Sequence, residues 1–282
     1  MQLIDGKQLA ENIKKDIAHT IHTLGGPRPN LAIILVGDRP DSQLYVSLKE
    51  KQAKAVGIDT HLYKCEAEIT EQELLDMINF LNKDRAIDAI LVQLPLPEHI
   101  STHKIIEALD PQKDIDGFHS YNLARLNNET ADKIIPPVYG VIITMLQSIN
   151  YDLTGKQVCL IAKADIFENN LADLLQHLGA QVSLTKITDG DLSDKTRRAD
   201  VLITAVGQPG YITAEMIKDQ AVIIDIGITK VNGEVKGDVD FTSVQNKASY
   251  LTPVPGGVGP LTIAMAFANT LQVFKQQRNE SS

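Results

Sequence analysis

Aromatic residues are scarce in this chain: there is no tryptophan, and phenylalanine and tyrosine together make up 5% of 282 residues. Nowhere do lysines and arginines interleave with aromatics, and the formal charge is −9. That balance argues against a nucleic-acid partner and for a small molecule. Cysteine is nearly missing as well. Cys65 and Cys159 lie far apart in sequence, so they supply neither a disulfide framework nor a paired metal-ligand spacing, and the expected compartment is a reducing cytoplasm. Long apolar runs are also lacking. The N-terminal MQLIDGKQLAENIKKD carries charge where a signal peptide needs an apolar stretch, and no segment approaches membrane-spanning length, which predicts a soluble protein without a membrane partner.

What is present is the composition of a globular protein, 43% hydrophobic and 22% charged. The length suits two domains. Short β-branched runs at 31–36, 89–94, 158–162, 182–185, 201–206 and 221–226 read as buried strands. Helical patterns lie between them. Leu9, Ile13, Ile17, Ile21 and Leu24 form one apolar stripe, and further helices are expected over 42–56, 71–82, 102–109, 139–149, 168–178 and 261–274. This alternation predicts an α/β fold with a covered parallel sheet occurring twice. The aperiodic stretch from Ser120 to Pro137 is the expected junction, with a second one near residue 252 and the last helix returning to the first domain.

Residues 252–260 read TPVPGGVGP, three prolines and three glycines in nine positions. Proline fixes φ and glycine permits positive φ and close backbone approach, so such a segment shapes a site as readily as it makes a tight turn before the last helix. The expectation is a ligand loop presenting backbone N–H groups at a helix N-terminus. Tyr45 and Lys49 stand four apart on one predicted helix face. Their spacing alone equally describes a partly buried tyrosine beside a solvated lysine. Gln93 is a polar residue at the carboxyl end of the strand 89–94, where ligands gather in α/β sheets, although it could instead satisfy loop backbone. In DIDGFH (114–119) Asp116 precedes a glycine in a turn. A calcium loop from Asp110 is excluded by Pro111 and by the missing glutamate at its twelfth position, and His99 with His103 has no third ligand nearby, so no metal is expected.

The strand VCLIA is followed by AKADIFENN (162–170), where a dinucleotide fold carries a glycine-rich turn. Glycines are missing, and Asp165 and Glu168 would repel a pyrophosphate that Lys163 only partly offsets. Later strands keep small residues at their ends, in AVGQPG (205–210) and DIGI (225–228), which could line a nucleotide or merely turn the chain.

In order, YVSLK, LVQLPLP, KDIDGFH, AVGQPGYI, DIGI, GDVDF and TPVPGGVGP resemble the methylenetetrahydrofolate dehydrogenase/methenyltetrahydrofolate cyclohydrolase family over nearly the whole chain. The resemblance implies two domains: a folate-binding catalytic domain over 1–120 and 258–282, and a Rossmann-like domain over 138–250. It also implies NADP-dependent oxidation of 5,10-methylenetetrahydrofolate followed by hydrolysis of 5,10-methenyltetrahydrofolate to 10-formyltetrahydrofolate, in a cytoplasmic homodimer of one-carbon and purine metabolism. By the same resemblance Lys49 is the acid/base group and Gln93 orients it. Tyr45 stacks on the folate rings, Asp116 accepts two hydrogen bonds from the pterin, and Pro255, Gly256 and Gly257 close over the substrate. Ala162, Lys163, Ala164 and Ile228 occupy the family's cofactor positions.

The departures are concentrated on that cofactor side. Where the family has GxSxxVGxP, this chain has Ala162, Ala164, Glu168 and Asn170, with only Ile166 and Phe167 remaining apolar. The family's PCTPxG appears as IPPVYG, keeping Gly140 and a shifted proline. Lys186, Ile187 and Asp189 replace a histidine and hydroxyl or basic residues beside the ribose. The expectation is weakened or lost dinucleotide binding with folate binding and hydrolysis kept. A relative that retains the pocket without turnover is the alternative, and another dehydrogenase on the same plan is a third reading.

Overall fold

The computed structural model describes residues 1–128, 130, 132–162 and 165–279, with backbone alone at 165–167 and 279. Its strands are β1 (Gln2–Leu3), β2 (Asn30–Val36), β3 (Asp59–Cys65), β4 (Ala89–Val92), β5 (Gln157–Ala162), β6 (Gln181–Thr185), β7 (Val201–Ala205), β8 (Val222–Asp225), β9 (Thr229–Val231), β10 (Glu234–Lys236) and β11 (Tyr250–Leu251). The helices are α1 (Gly6–Leu24), α2 (Pro40–Val56), α3 (Glu71–Lys83), α4 (Thr102–Glu107), α5 (Ser120–Leu123), α6 (Pro137–Ser148), α7 (Asp165–His177), α8 (Leu192–Arg198), α9 (Phe241–Val244) and α10 (Val258–Asn279).

The chain divides into two compact units. One comprises Glu11–Pro137 with Ile263–Ser282, the other Met1–Ala10 with Val138–Thr262. In the first, β3, β2 and β4 form a parallel three-stranded sheet with β2 central. Because side chains alternate across a strand, Leu31, Ile33 and Leu35 face one cluster and Ala32, Ile34 and Val36 the other. The first cluster takes Ile13, Ile17 and Ile21 from α1, Val46 and Ala53 from α2, and Ile263, Phe267 and Leu271 from α10. The second takes Leu74, Ile78 and Leu81 from α3, a helix whose Thr70 and Glu73 make a reciprocal capping box. Helix α2 opens on Pro40, which has no N–H to leave unsatisfied there, and closes on left-handed Gly57 (φ 91°).

The second unit carries a six-stranded parallel sheet in the order β1-β11-β8-β7-β5-β6, together with a β9–β10 hairpin. Cys159, Ile161, Leu202 and Ile223 are buried on one of its faces against Leu192 and Val244. Each of the six β-branched runs is a strand. Strand β3, DTHLYKC, was not among the expected elements: it is a partly exposed edge strand without a β-branched run. The first ten residues, expected with the first domain, pair through β1 to β11 in the second unit's sheet. Helix α10 begins three residues before the predicted 261, so Val258, Gly259 and Pro260 form its first turn, the one place where a helix accepts proline without losing a hydrogen bond.

Candidate functional site

In the first unit, α2 presents Tyr45 and Lys49 one turn apart, both half-buried. The Lys49 Nζ donates to Gln93 Oε1 at 3.0 Å, joining α2 to the carboxyl end of β4 across 44 residues of sequence. Gln93 Nε2 donates to the Leu94 carbonyl at 2.7 Å, which fixes the amide so that its oxygen faces the lysine. Burial pushes the Lys49 ammonium below the ordinary lysine value, and the Asp116 carboxylate only partly restores it. Asp116 is moved the opposite way. Burial pushes it up to about 6 against the pull of Lys49, and Asp114 adds to the rise. The two groups therefore converge toward neutrality from opposite sides. The Tyr45 phenol is also raised by burial.

The loop holding Asp116 is built by its neighbour. Asp114, 1% exposed, accepts from the N–H groups of Gly117 (3.0 Å) and His119 (2.9 Å) and from Asn122 Nδ2 (3.2 Å). Gly117 is left-handed (φ 68°), and a Cβ there would stand 3.1 Å from the Pro136 nitrogen. From α10, the Asn269 amide donates to the carbonyls of Ile115 (2.8 Å) and Ile135 (2.9 Å). Sequence reading singled out neither Asp114 nor Asn269. The D-x-D-G pattern signals the first as a turn-forming side chain, whereas nothing local marks the second.

In the second unit two buried carboxylates lock the loops that leave β7 and β8. Asp238 accepts from Thr204 Oγ1 (3.0 Å), Val206 N–H (2.7 Å) and Gln208 N–H (2.9 Å). Asp225 accepts from the N–H groups of Gly227 (2.9 Å), Asp238 (3.1 Å) and Val239 (2.9 Å). Each lies over the other's glycine: a Cβ at Gly227 would meet Asp238 at 2.2 Å, and one at Gly237 would meet Asp225 at 2.1 Å. The Asp225 N–H in turn donates to Thr252 Oγ1 at 2.7 Å, which anchors the start of the TPVPGGVGP loop. Within that loop the Val254–Pro255 bond is cis, and the Gly256 carbonyl accepts from Lys7 N–H at 2.9 Å. Gly257 is buried and Pro255 exposed.

Residues 4–116 match the family described as tetrahydrofolate dehydrogenase/cyclohydrolase, catalytic domain, and residues 136–278 its NAD(P)-binding domain. The chain belongs to this family. It is 43% identical to the bifunctional protein FolD of Nitratiruptor sp. over 281 residues, 99% of each chain. Among solved structures it resembles the bifunctional FolD of Campylobacter jejuni (41% identity, TM-score 0.94, 98% of this chain and 99% of that one). It also resembles the Trypanosoma brucei FolD complexed with NADP and an inhibitor (35%, TM-score 0.93, 98% of each chain).

The family's NAD(P)-binding domain is present here with the parallel sheet such a domain needs, and Gly207 and Gly210 take positive φ after β7. The β5–α7 turn is different. Ala162 is buried at the end of β5, and Lys163 and Ala164 lie outside the described residues. Glu168 sits in the first turn of α7 at 4% exposure. A buried carboxylate in a turn without glycine does not fit the diphosphate of a dinucleotide. Of the other cofactor-side positions, Ile228 is 47% exposed, and the Asp189 carboxylate is engaged by Lys186 N–H (2.9 Å) and Thr185 Oγ1 (3.2 Å). Among the described residues no cluster could hold a metal ion, and no helix is long and apolar enough to cross a membrane.

Proposed function

We propose that this protein hydrolyses 5,10-methenyltetrahydrofolate to 10-formyltetrahydrofolate with Lys49 as the acid/base group, the second half of the bifunctional family's reaction. The hydrogen bond from Lys49 to an amide that is itself held in place, in surroundings that lower the lysine and raise Asp116, carries the reading. A neutral Lys49 amine takes a proton from water as the water oxygen bonds to the methenyl carbon. That proton is then delivered to N5 as the carbon–N5 bond breaks, leaving the formyl group on N10 and one proton released overall. Gln93 orients the amine. Asp116 accepts two hydrogen bonds from the pterin amide and amino group, Tyr45 stacks on the rings, and Pro255, Gly256 and Gly257 contact the substrate.

In the family the methenyl group comes from oxidation of the methylene bridge, with NADP as hydride acceptor, and residues 136–278 are the domain that serves that step. The reading includes a cytoplasmic homodimer whose product feeds purine synthesis, and sedimentation of the purified chain tests the dimer. The decisive assay is loss of methenyltetrahydrofolate absorbance above its spontaneous rate. Lys49→Ala is expected to abolish the excess. Decay indistinguishable between the two proteins would leave a folate-binding relative without turnover.

A further inference from the structure

The second unit has an identifiable switch point. From β5 the chain passes through α7 to β6 on one side of the sheet, then crosses to β7 on the other. Ligands of open α/β sheets lie in the crevice outside the carboxyl ends of such a strand pair. A dinucleotide placed there rests its diphosphate on the N-terminus of the helix after the first strand, over a turn bare enough for backbone N–H groups to reach it. The loop after β7 keeps that character, with Gly207 and Gly210 at positive φ. From Lys156 to Leu178 there is no glycine at all.

Glu168 decides what this means. An exposed acid in a first helical turn is an ordinary favourable choice, because the helix N-terminus attracts negative charge. This one is 4% exposed, so its carboxylate lies inside the protein, where solvent screens it little. It places a buried acidic side chain in the first turn of α7, where glycine would add none.

We infer that Glu168 closes the diphosphate place of the second unit, so that NADP binds weakly and hydrolysis of the methenyl group is the chain's principal activity. The binding part stands on the second unit alone, whereas the activity part rests on the folate reading above. At an effective dielectric of about 20, like charges about 6 Å apart cost on the order of a hundredfold in affinity. Removing the charge recovers this, and removing the side chain as well also opens the space.

The test is calorimetric titration of the full chain with NADP and with NAD, comparing wild type with Glu168→Gln and Glu168→Gly, alongside the methenyl decay assay. The wild type is expected to bind either nucleotide more weakly than roughly millimolar. Glu168→Gln should bind NADP about a hundredfold more tightly, the scale of one like-charge contact, and Glu168→Gly at least as tightly, with hydrolysis within about twofold throughout. Micromolar binding by the wild type overturns the inference, as does a Glu168→Gln protein that hydrolyses normally and binds no better than wild type. Where the affinities follow expectation but none of the proteins hydrolyses methenyltetrahydrofolate, the binding inference stands and the folate reading fails.

Discussion

Replacing Gln93 by glutamate and, separately, by methionine is expected to move the working pH of Lys49 in opposite directions. In Gln93→Glu a carboxylate oxygen takes the place now 3.0 Å from the lysine nitrogen. At an effective dielectric of about 20 the attraction at this distance is about 5.5 kcal/mol. Desolvating the new carboxylate consumes more than half of this, leaving a rise of about 1–2 units in the lysine pKa. In Gln93→Met the ammonium loses a hydrogen bond worth about 1.5–3 kcal/mol. A neutral amine can donate to the same oxygen, so the net change is about half, a fall of roughly one unit. Base-assisted hydrolysis needs the neutral amine, and its rate therefore rises along the acidic limb of the pH profile. That limb should shift to higher pH in Gln93→Glu, with a loss of about 10- to 100-fold at neutral pH, and to lower pH in Gln93→Met. The assay is enzyme-dependent methenyltetrahydrofolate decay from about pH 6 to 9, with the spontaneous rate subtracted. Limb positions are compared rather than amplitudes, because loss of orientation scales the whole curve. Two active variants whose limbs coincide with wild type, or move the same way, would refute the role given to this hydrogen bond.

Asp116→Asn should weaken folate binding yet stabilise the fold near pH 7. Burial holds the wild-type carboxyl at about 6, above its unfolded value, so its stabilising protonated form is fully present only below pH 4 and is lost as pH rises through 6. The gain of up to roughly 3 kcal/mol should vanish by about pH 4, and a gain of equal size at both pH values in urea denaturation would contradict it. Asn269→Leu leaves the Ile115 and Ile135 carbonyls without their shared donor and should cost about 2–4 kcal/mol; an unchanged melting temperature would remove Asn269 as a clasp. Gly237→Ala drives a Cβ to 2.1 Å from an Asp225 oxygen and 2.8 Å from Val254 Cγ2, so a loss of about 3 kcal/mol is expected in chemical denaturation.

The parallel strands were legible because strands buried on both faces read as continuous β-branched runs, as in Leu31–Val36 and Val201–Ala205. DTHLYKC has no such run, because most of its side chains are at least partly exposed, and it was not among the expected strands. The Tyr45–Lys49 pair was visible as a helical spacing and Gln93 as a polar residue at a strand end, but their meeting was not. It depends on α2 packing against the β2–β4 sheet so that residues 44 apart come within hydrogen-bond distance. Asp114, Asp225 and Asp238 were harder still. Carboxylates that bind backbone N–H groups look in sequence like any surface acid, and only burial separates them.

That separation bears on how the two units differ. In the first, Asp114 takes up the loop amides, and its neighbour Asp116 is raised to about 6 by burial and faces a lysine lowered by the same cause. Burial raises the Asp114 carboxyl as well, against the loop donors that lower it, and its charge in turn raises Asp116, so one carboxylate builds the loop while its neighbour is left to exchange a proton or receive a ligand. In the second unit Asp238 and Asp225 are both committed to loop amides. Neither is left to meet a substrate, and Glu168 is buried in the helix turn where an anionic ligand would have to enter. On the proposed reading the proton-transfer chemistry resides in the first unit, while the second keeps loops locked by buried carboxylates.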